Sequence, residues 1–180
     1  MGGYTAHFYL MKTILFLLSF APFSLLAQFP TGWVGHYSGQ MAISNSSGRT
    51  DTINVELLIE PIKPDTSWLY IMKYHSVNNW NMEKAYTIIR NGEGKFLIDE
   101  GDSLFLDITF MNNCLYSFYE LDNTYFSSTI RLFEGNILFD LFGGKRTIMH
   151  SKDVKEDNAT FTVDSYSPEF AQSVLLKRKQ

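Results

Sequence analysis

Gly32-Trp33-Val34-Gly35-His36-Tyr37-Ser38-Gly39 is the first segment that reads as part of a folded domain, and the remainder is organised around it. From here to the C-terminus the chain is a succession of short alternating segments separated by tight turns. In Asp51–Glu60, Ile53, Val55, Leu57 and Ile59 point one way, opposite Asn54, Glu56 and Glu60. In Ser103–Met111, Leu104, Leu106, Ile108 and Phe110 share a face, and Phe126, Ser128, Ile130 and Leu132 do so further on. A period of two is what an antiparallel sheet with one wet face produces. Trp68–His75, Cys114–Leu121 and Ile137–Phe142 carry large apolar groups on both faces.

Turn signals recur about every ten residues, the spacing of a sandwich or barrel. They fall at Asn45–Gly48, Pro61–Asp65, Asn78-Asn79, Asn91-Gly92, Asp99–Asp102, Asn112-Asn113, Asp122-Asn123, Glu134–Asn136, Gly143-Gly144 and Lys152–Asn158. Asn91-Gly92 is the strongest turn dipeptide, because both central positions of a type I′ turn need positive φ. No stretch carries a convincing 3.6-residue period. About ten strands with short connections predict an all-β fold, an antiparallel up-and-down β-barrel, since closure removes exposed edges.

Met11-Lys12-Thr13, the apolar run that follows and Leu25-Leu26-Ala27-Gln28 have the form of a secretory signal peptide. Cleavage after Ala27 would leave one domain, residues 28–180, in a secreted or periplasmic protein of the bacterial exported kind. The ten residues before Met11 neither charge nor lengthen this leader, so Met11 is the expected start. The run from Ile14 to Ala27 is broken by Pro22 and falls short of the ~20 residues of a spanning helix. No Cys follows Ala27 to accept a lipid anchor. Cys114 is the only cysteine, so no internal disulfide can form and packing alone must hold the fold. Without the leader, 14 basic residues face 19 acidic ones, a balance that argues against a nucleic-acid partner.

The Gly32-Trp33-Val34-Gly35 block resembles the opening of calycin-like barrels: lipocalins, fatty-acid-binding proteins and the nitrobindin type. It departs from lipocalins in placing Gly and Trp side by side, where those usually leave one residue between. The resemblance implies that Trp33 plugs one barrel end, with Gly35 allowing close packing there. It also implies that a basic side chain of the last strand, Arg178 or Lys177, covers the indole by stacking. It further implies a cavity for a small apolar molecule, although fold does not dictate function.

Chemistry-bearing constellations are few. Gly101-Asp102-Ser103-Leu104 matches the block of a serine-esterase family, yet no Asp-x-x-His follows to supply a base, so it reads as a turn entering a strand. His36, His75 and His150 lie on different predicted strands without the spacing of a zinc site. A single one, His150 in phase with Ile148, would be the haem ligand that a nitrobindin resemblance allows; a surface-facing histidine is the commoner role. Asp99, Glu100 and Asp102 lack the alternation of a calcium loop and read as solvated surface. Neither a metal nor a cofactor is predicted, nor an enzyme, for want of an acid–base or nucleophile set.

The tyrosines are more informative. Tyr70 and Tyr74 are in phase with Trp68 and Met72, and Tyr86 is in phase with Ile88 and Arg90 on the neighbouring strand. An interior with several phenols and Arg90 would suit an amphipathic carboxylate, Arg90 making the bidentate contact; the same rings would also serve as plain core. The leading expectation is therefore an exported calycin-like barrel binding a small apolar or amphipathic molecule through Tyr70, Tyr74, Tyr86, Arg90 and His150. The alternative is an envelope-accessory or protein-interaction barrel with a filled core, its contacts made by Tyr116, Phe118 and Tyr125 on the outer face. An integral outer-membrane barrel also fits ten-residue alternating strands. Short turns at both ends and a Lys177-Arg178-Lys179-Gln180 terminus oppose it.

Overall fold

The computed structural model describes residues 32–76, 80–157 and 159–180, so the expected leader and the expected Asn78-Asn79 turn lie outside the described residues. These contain no helix and twelve strands: β1 (Gly35–Asn45), β2 (Thr50–Lys63), β3 (Ser67–His75), β4 (Asn81–Arg90), β5 (Lys95–Asp99), β6 (Phe105–Met111), β7 (Cys114–Leu121), β8 (Thr124–Phe133), β9 (Asn136–Lys145), β10 (Ile148–Glu156), β11 (Ala159–Tyr166) and β12 (Phe170–Arg178). Ten of them close an antiparallel barrel in the order β1-β12-β9-β8-β7-β6-β5-β4-β3-β2. Strands β10 and β11 pair only with each other, as a hairpin inserted between β9 and β12.

The alternation expected of the sequence sets which face points inward. Ile53, Val55, Leu57 and Ile59 of β2 are buried in the barrel, as are Trp68, Tyr70 and Met72 of β3. Between β6 and β9 the turns are two-residue hairpins at Asn112-Asn113, Asp122-Asn123 and Glu134-Gly135, with positive φ at both central positions in each. That geometry matches the right-handed twist of the flanking strands. Asn91-Gly92 behaves otherwise: positive φ falls on Gly92 and Gly94, within a four-residue connection. Gly143-Gly144 does not turn at all. Both residues lie inside β9, where a Cβ at Gly143 would strike the Phe170 ring and one at Gly144 the Ser167 backbone. These glycines permit close approach of the segment leading into β12.

One end of the barrel is sealed. Trp33 is fully buried there, edge-on to Phe110 with ring centroids 6.2 Å apart. Arg178 reaches across from the last strand: its Nη2 donates to the carbonyl oxygens of Gly32 (3.1 Å) and Val34 (2.6 Å) and to the Tyr37 hydroxyl (2.8 Å). The Tyr37 hydroxyl donates in turn to the Trp33 carbonyl at 2.8 Å, and the guanidinium lies 5.3 Å from the centre of the Tyr37 ring. Gly35, at φ +154°, sits beneath that guanidinium, and an added Cβ would come within 3.3 Å of it. The basic cover is thus Arg178, and it holds the backbone on both sides of the indole. Lys177 pairs with Ser38 and is exposed.

Removing this clasp has a measurable consequence. Arg178→Ala is expected to cost about 2–3 kcal/mol, the scale for charge-assisted hydrogen bonds, which is a drop of about 4–12 °C in melting temperature. Lys177→Ala should stay within about 0.5 kcal/mol. Thermal denaturation followed by circular dichroism compares them; equal losses would mean that the clasp contributes nothing special.

Candidate functional site

The opposite end of the barrel differs in kind. Around the sealed end the inward side chains Ile59, Trp68, Ile88, Phe96, Leu115, Ile137 and Leu176 are almost wholly excluded from solvent. Toward the other end, Tyr74, Tyr86, Ile98, Leu106, Ser117, Tyr119, Phe126, Ser128 and Leu141 continue the same inward rows but keep part of their surface accessible. Inward-facing residues touched by solvent require an opening.

Strand pairing locates that opening. Strands β4 and β5 pair from Arg90↔Phe96 only as far as Thr87↔Asp99, which leaves Asn81–Tyr86 paired with β3 alone. Strands β6 and β7 pair only over Thr109↔Tyr116, Phe110↔Leu115 and Met111↔Cys114. Beyond those residues β6 keeps only β5, and β7 keeps only β8. The wall therefore parts between β6 and β7 in its open half.

Phenols gather at this place. Tyr70 and Tyr86, directly opposite across β3 and β4, stack with centroids 6.4 Å apart and planes 14° apart. On the far side of the split, Tyr119 stacks on Phe126 at 5.1 Å and 11°. The Tyr74 hydroxyl donates to Met72 Sδ at 2.7 Å, and Ser117 and Ser128 share a hydrogen bond of 2.8 Å between their hydroxyls. Burial raises the pKa of Tyr70, with smaller contributions from Tyr74 and Tyr86. Tyr74 is pushed up to about 12, first by burial and then by Tyr119. Tyr86 and Tyr119 are raised by burial and next by the Glu100 carboxylate. Glu100 thus acts on two of the four phenols, Tyr86 and Tyr119.

Three residues expected at the site, Tyr70, Tyr74 and Tyr86, thus come together on one wall. Arg90 does not join their polar ends. It lies four residues, about 13 Å of strand, beyond Tyr86 toward the sealed end, its Nε donating to the Asp65 carbonyl at 2.9 Å. Its guanidinium covers Phe96 (5.0 Å) and Trp68 (5.7 Å), so the bidentate carboxylate contact has no place beside the phenols. His150 is also displaced. It stands exposed on β10, outside the barrel wall, because β10 and β11 leave the run of staves as a hairpin. A haem ligand within the barrel cannot come from it. Tyr119 and Glu100 are additions. Tyr119 shares the inward row of Leu115 and Ser117, and Glu100 follows the inward Phe96 and Ile98 at the same period of two, phases readable in the sequence. Among the described residues no three His, Cys, Asp or Glu side chains converge as a metal site.

The outer face carries its own aromatic group. Phe118, 71% exposed, stacks with Tyr125 at 6.3 Å, and Tyr125 meets Tyr166 edge-on at 6.4 Å. With Phe142, Pro168 and the Arg146–Glu120 ion pair (3.2 Å) they line a groove of about 540 Å³ between wall and hairpin.

The buried phenols predict alkaline sensitivity. Their pKa values are higher folded than unfolded, so they favour the folded state below the ordinary phenol value near 10. That contribution disappears as pH climbs through the folded values. Urea midpoints should therefore fall from about pH 10 upward, through the region near 12 where Tyr74 titrates. The double variant Tyr70→Phe, Tyr86→Phe should give a shallower decline; an identical slope would mean these phenols ionise freely.

No protein-family model matches the chain, and no curated protein matches it. Among solved structures it is similar to the S-type phycobiliprotein lyase CpeS of Guillardia theta, with a TM-score of 0.59 and 10% identity over 83% of this chain and 89% of that one. Rv2717c of M. tuberculosis (TM-score 0.49, 10% identity, 83% and 94% covered) and a redesigned β barrel (0.36, 10%, 83% and 94%) align over similar lengths. At such identity the lyase shares the barrel fold with this chain.

Proposed function

We propose that this chain is a calycin-like container for a small apolar or amphipathic molecule, held in the open half of the barrel against Tyr70, Tyr74, Tyr86 and Tyr119. The observation that carries this reading is the contrast between the ends. Around Trp33 most of the inward side chains are solvent-free, whereas around Tyr74, Tyr86 and Tyr119 the rows of β3, β4, β7 and β8 are partly accessible. A core filled for stability alone would be closed at both ends, since interiors pack to crystal density. A barrel of this size holds one small ligand, and a mainly apolar lining with a few convergent hydroxyls is the usual character of such a site. The likeness to a phycobiliprotein lyase supports a ligand-handling barrel at the level of fold; no lyase chemistry is carried over.

The exported, secreted or periplasmic setting, after cleavage at Ala27, belongs to the same proposal. No helix of the described residues is long and apolar enough to cross a membrane. The barrel's outward rows carry Glu56, Lys73, Asp107 and Arg131, a surface poorly suited to lipid contact. A second reading, contact with another protein, rests on the exposed Phe118 and its neighbours in the outer groove.

The neutral fluorescent probe N-phenyl-1-naphthylamine separates the two. It should bind the full chain, and Ser128→Trp, which fills the inner wall, should weaken binding at least about tenfold with an unchanged circular dichroism spectrum. Phe118→Ser should leave binding intact. Loss of the probe with Phe118→Ser and not with Ser128→Trp would move the site to the outer groove.

A further inference from the structure

We infer that the β10–β11 hairpin is a self-association element: the free edge of β10 pairs antiparallel with β10 of a second copy of this chain, in a register centred on Val154. The hairpin lies outside the barrel wall, so this pairing neither needs nor excludes a ligand inside it.

By itself the hairpin is under-supported. Strands β10 and β11 pair only with each other, and every described residue of both is exposed. Two strands with solvent on both faces are marginal in water, and further strands over an apolar face are what make such a sheet stable. This hairpin has that face. Side chains alternate along a strand, so the register Lys152↔Val163, Val154↔Phe161 and Glu156↔Ala159 puts these six on one side, with Asp153, Lys155 and Asp164 on the other. Val154, Phe161 and Val163 are neighbours there, yet they remain 42%, 53% and 55% exposed.

Charge identifies the occupant. Charged side chains on an edge strand usually keep other strands away. Lys152-Asp153-Val154-Lys155-Glu156 carries them in an order in which reading backwards exchanges every sign. Antiparallel pairing of two copies about Val154 therefore sets Lys152 opposite Glu156 and Asp153 opposite Lys155. Each contact occurs twice, as an isologous two-fold seam requires. Opposite charges facing across a ladder attract, and like charges repel. A slip of one residue sets Lys152 against Lys155 or Asp153 against Glu156. A slip of two sets Asp153 against Asp153 or Lys155 against Lys155. The charges that bar the neighbouring registers thus admit this one. Among the described residues none of the four is in an ion pair within the chain; Asp153 accepts from the Thr162 hydroxyl at 2.7 Å.

The apolar face closes on the same axis. The two copies of Val154 meet at the two-fold, each with Phe161 on its far side. One apolar row would then cross a four-stranded sheet ordered β11-β10-β10-β11. A seam of five residues per strand is small, so the dimer is expected to dissociate at about 10–100 µM.

Sedimentation velocity on the full chain, from about 1 to 300 µM, tests the pairing. Lys152→Glu alone and Glu156→Lys alone each set like charges face to face twice. Each should weaken self-association at least about tenfold, with an unchanged circular dichroism spectrum. Mixed one to one, the two variants restore opposite signs across the seam and should associate within about threefold of the parent chain. Asp164→Lys, a charge reversal on β11 away from the seam, should change association by no more than about threefold. A parent chain that stays monomeric across this range overturns the pairing. So does a dimer that neither β10 reversal weakens, or a mixture of the two folded variants that remains monomeric.

Discussion

The fold depends on one reach, that of Arg178 from the end of the last strand to the carbonyls on either side of Trp33. A closed barrel must join its last stave to its first, and these meet at the greatest sequence separation the chain offers. Backbone pairing between β1 and β12 supplies the length of that seam; the guanidinium fixes its end. The Lys179 amide, donating to the His36 carbonyl at 2.8 Å, and the Lys179–Glu56 ion pair at 2.7 Å continue it. The plug, the first strand and the last strand are therefore tied together at one point.

This clasp has a chemical consequence at the other end. A guanidinium held by two carbonyls and a phenol hydroxyl cannot serve elsewhere, and Arg90, four strands round the barrel, is engaged by the Asp65 carbonyl and two rings. The two arginines of the inward rows sit where the barrel is shut and the phenols where it is open, while Lys84 and Lys145 continue the inward rows of β4 and β9 at the open end. The arginines lie at the closed end because planar guanidinium groups are suited to covering aromatic plugs.

Much of the architecture was legible because it rests on local rules. Alternation identified the inward rows of β2, β6 and β8, and Asn112-Asn113 and Asp122-Asn123 marked hairpins because asparagine and aspartate tolerate positive φ. The calycin resemblance, not a local rule, offered Trp33 as plug with Arg178 or Lys177 as cover, and it is Arg178 that clasps the backbone there. What failed was non-local. The mixed-charge run Lys152–Asn158 was read as a turn, whereas Lys152–Glu156 belong to β10, and nothing in the sequence told that β10 and β11 leave the wall as a hairpin and carry His150 outside it. Gly143-Gly144 looked like a turn for want of knowing that Phe170 would lie against it. Arg90 was correctly phased with Tyr86 but assigned the wrong height, because phase gives the face of a strand and not the neighbours at each level. Glu100 was read as solvated surface because it stands with Asp99 and Asp102 in an acidic turn, yet its carboxylate raises the pKa of Tyr86 and Tyr119.

The early ending of β5 is what makes the open half open. Short β5, with the parting of β6 from β7, leaves Asn81–Tyr86 and Ser117–Leu121 each with one unpaired edge. Bare edges invite pairing with other chains, and natural sheets guard them with charge. Here Glu83 and Lys84 stand on one edge and Glu120 on the other, all exposed. Guarded edges are evidence against a wall that simply frayed, because a frayed wall would zip shut at the gain of several backbone hydrogen bonds. Continuous pairing would bring Tyr119 beside Leu106 in the wall and cover the hydroxyl side of Tyr86. The break in the ladder is therefore what gives the phenols a space to face, and the stability that pairing would add is absent from the part of the barrel where a ligand needs a way in.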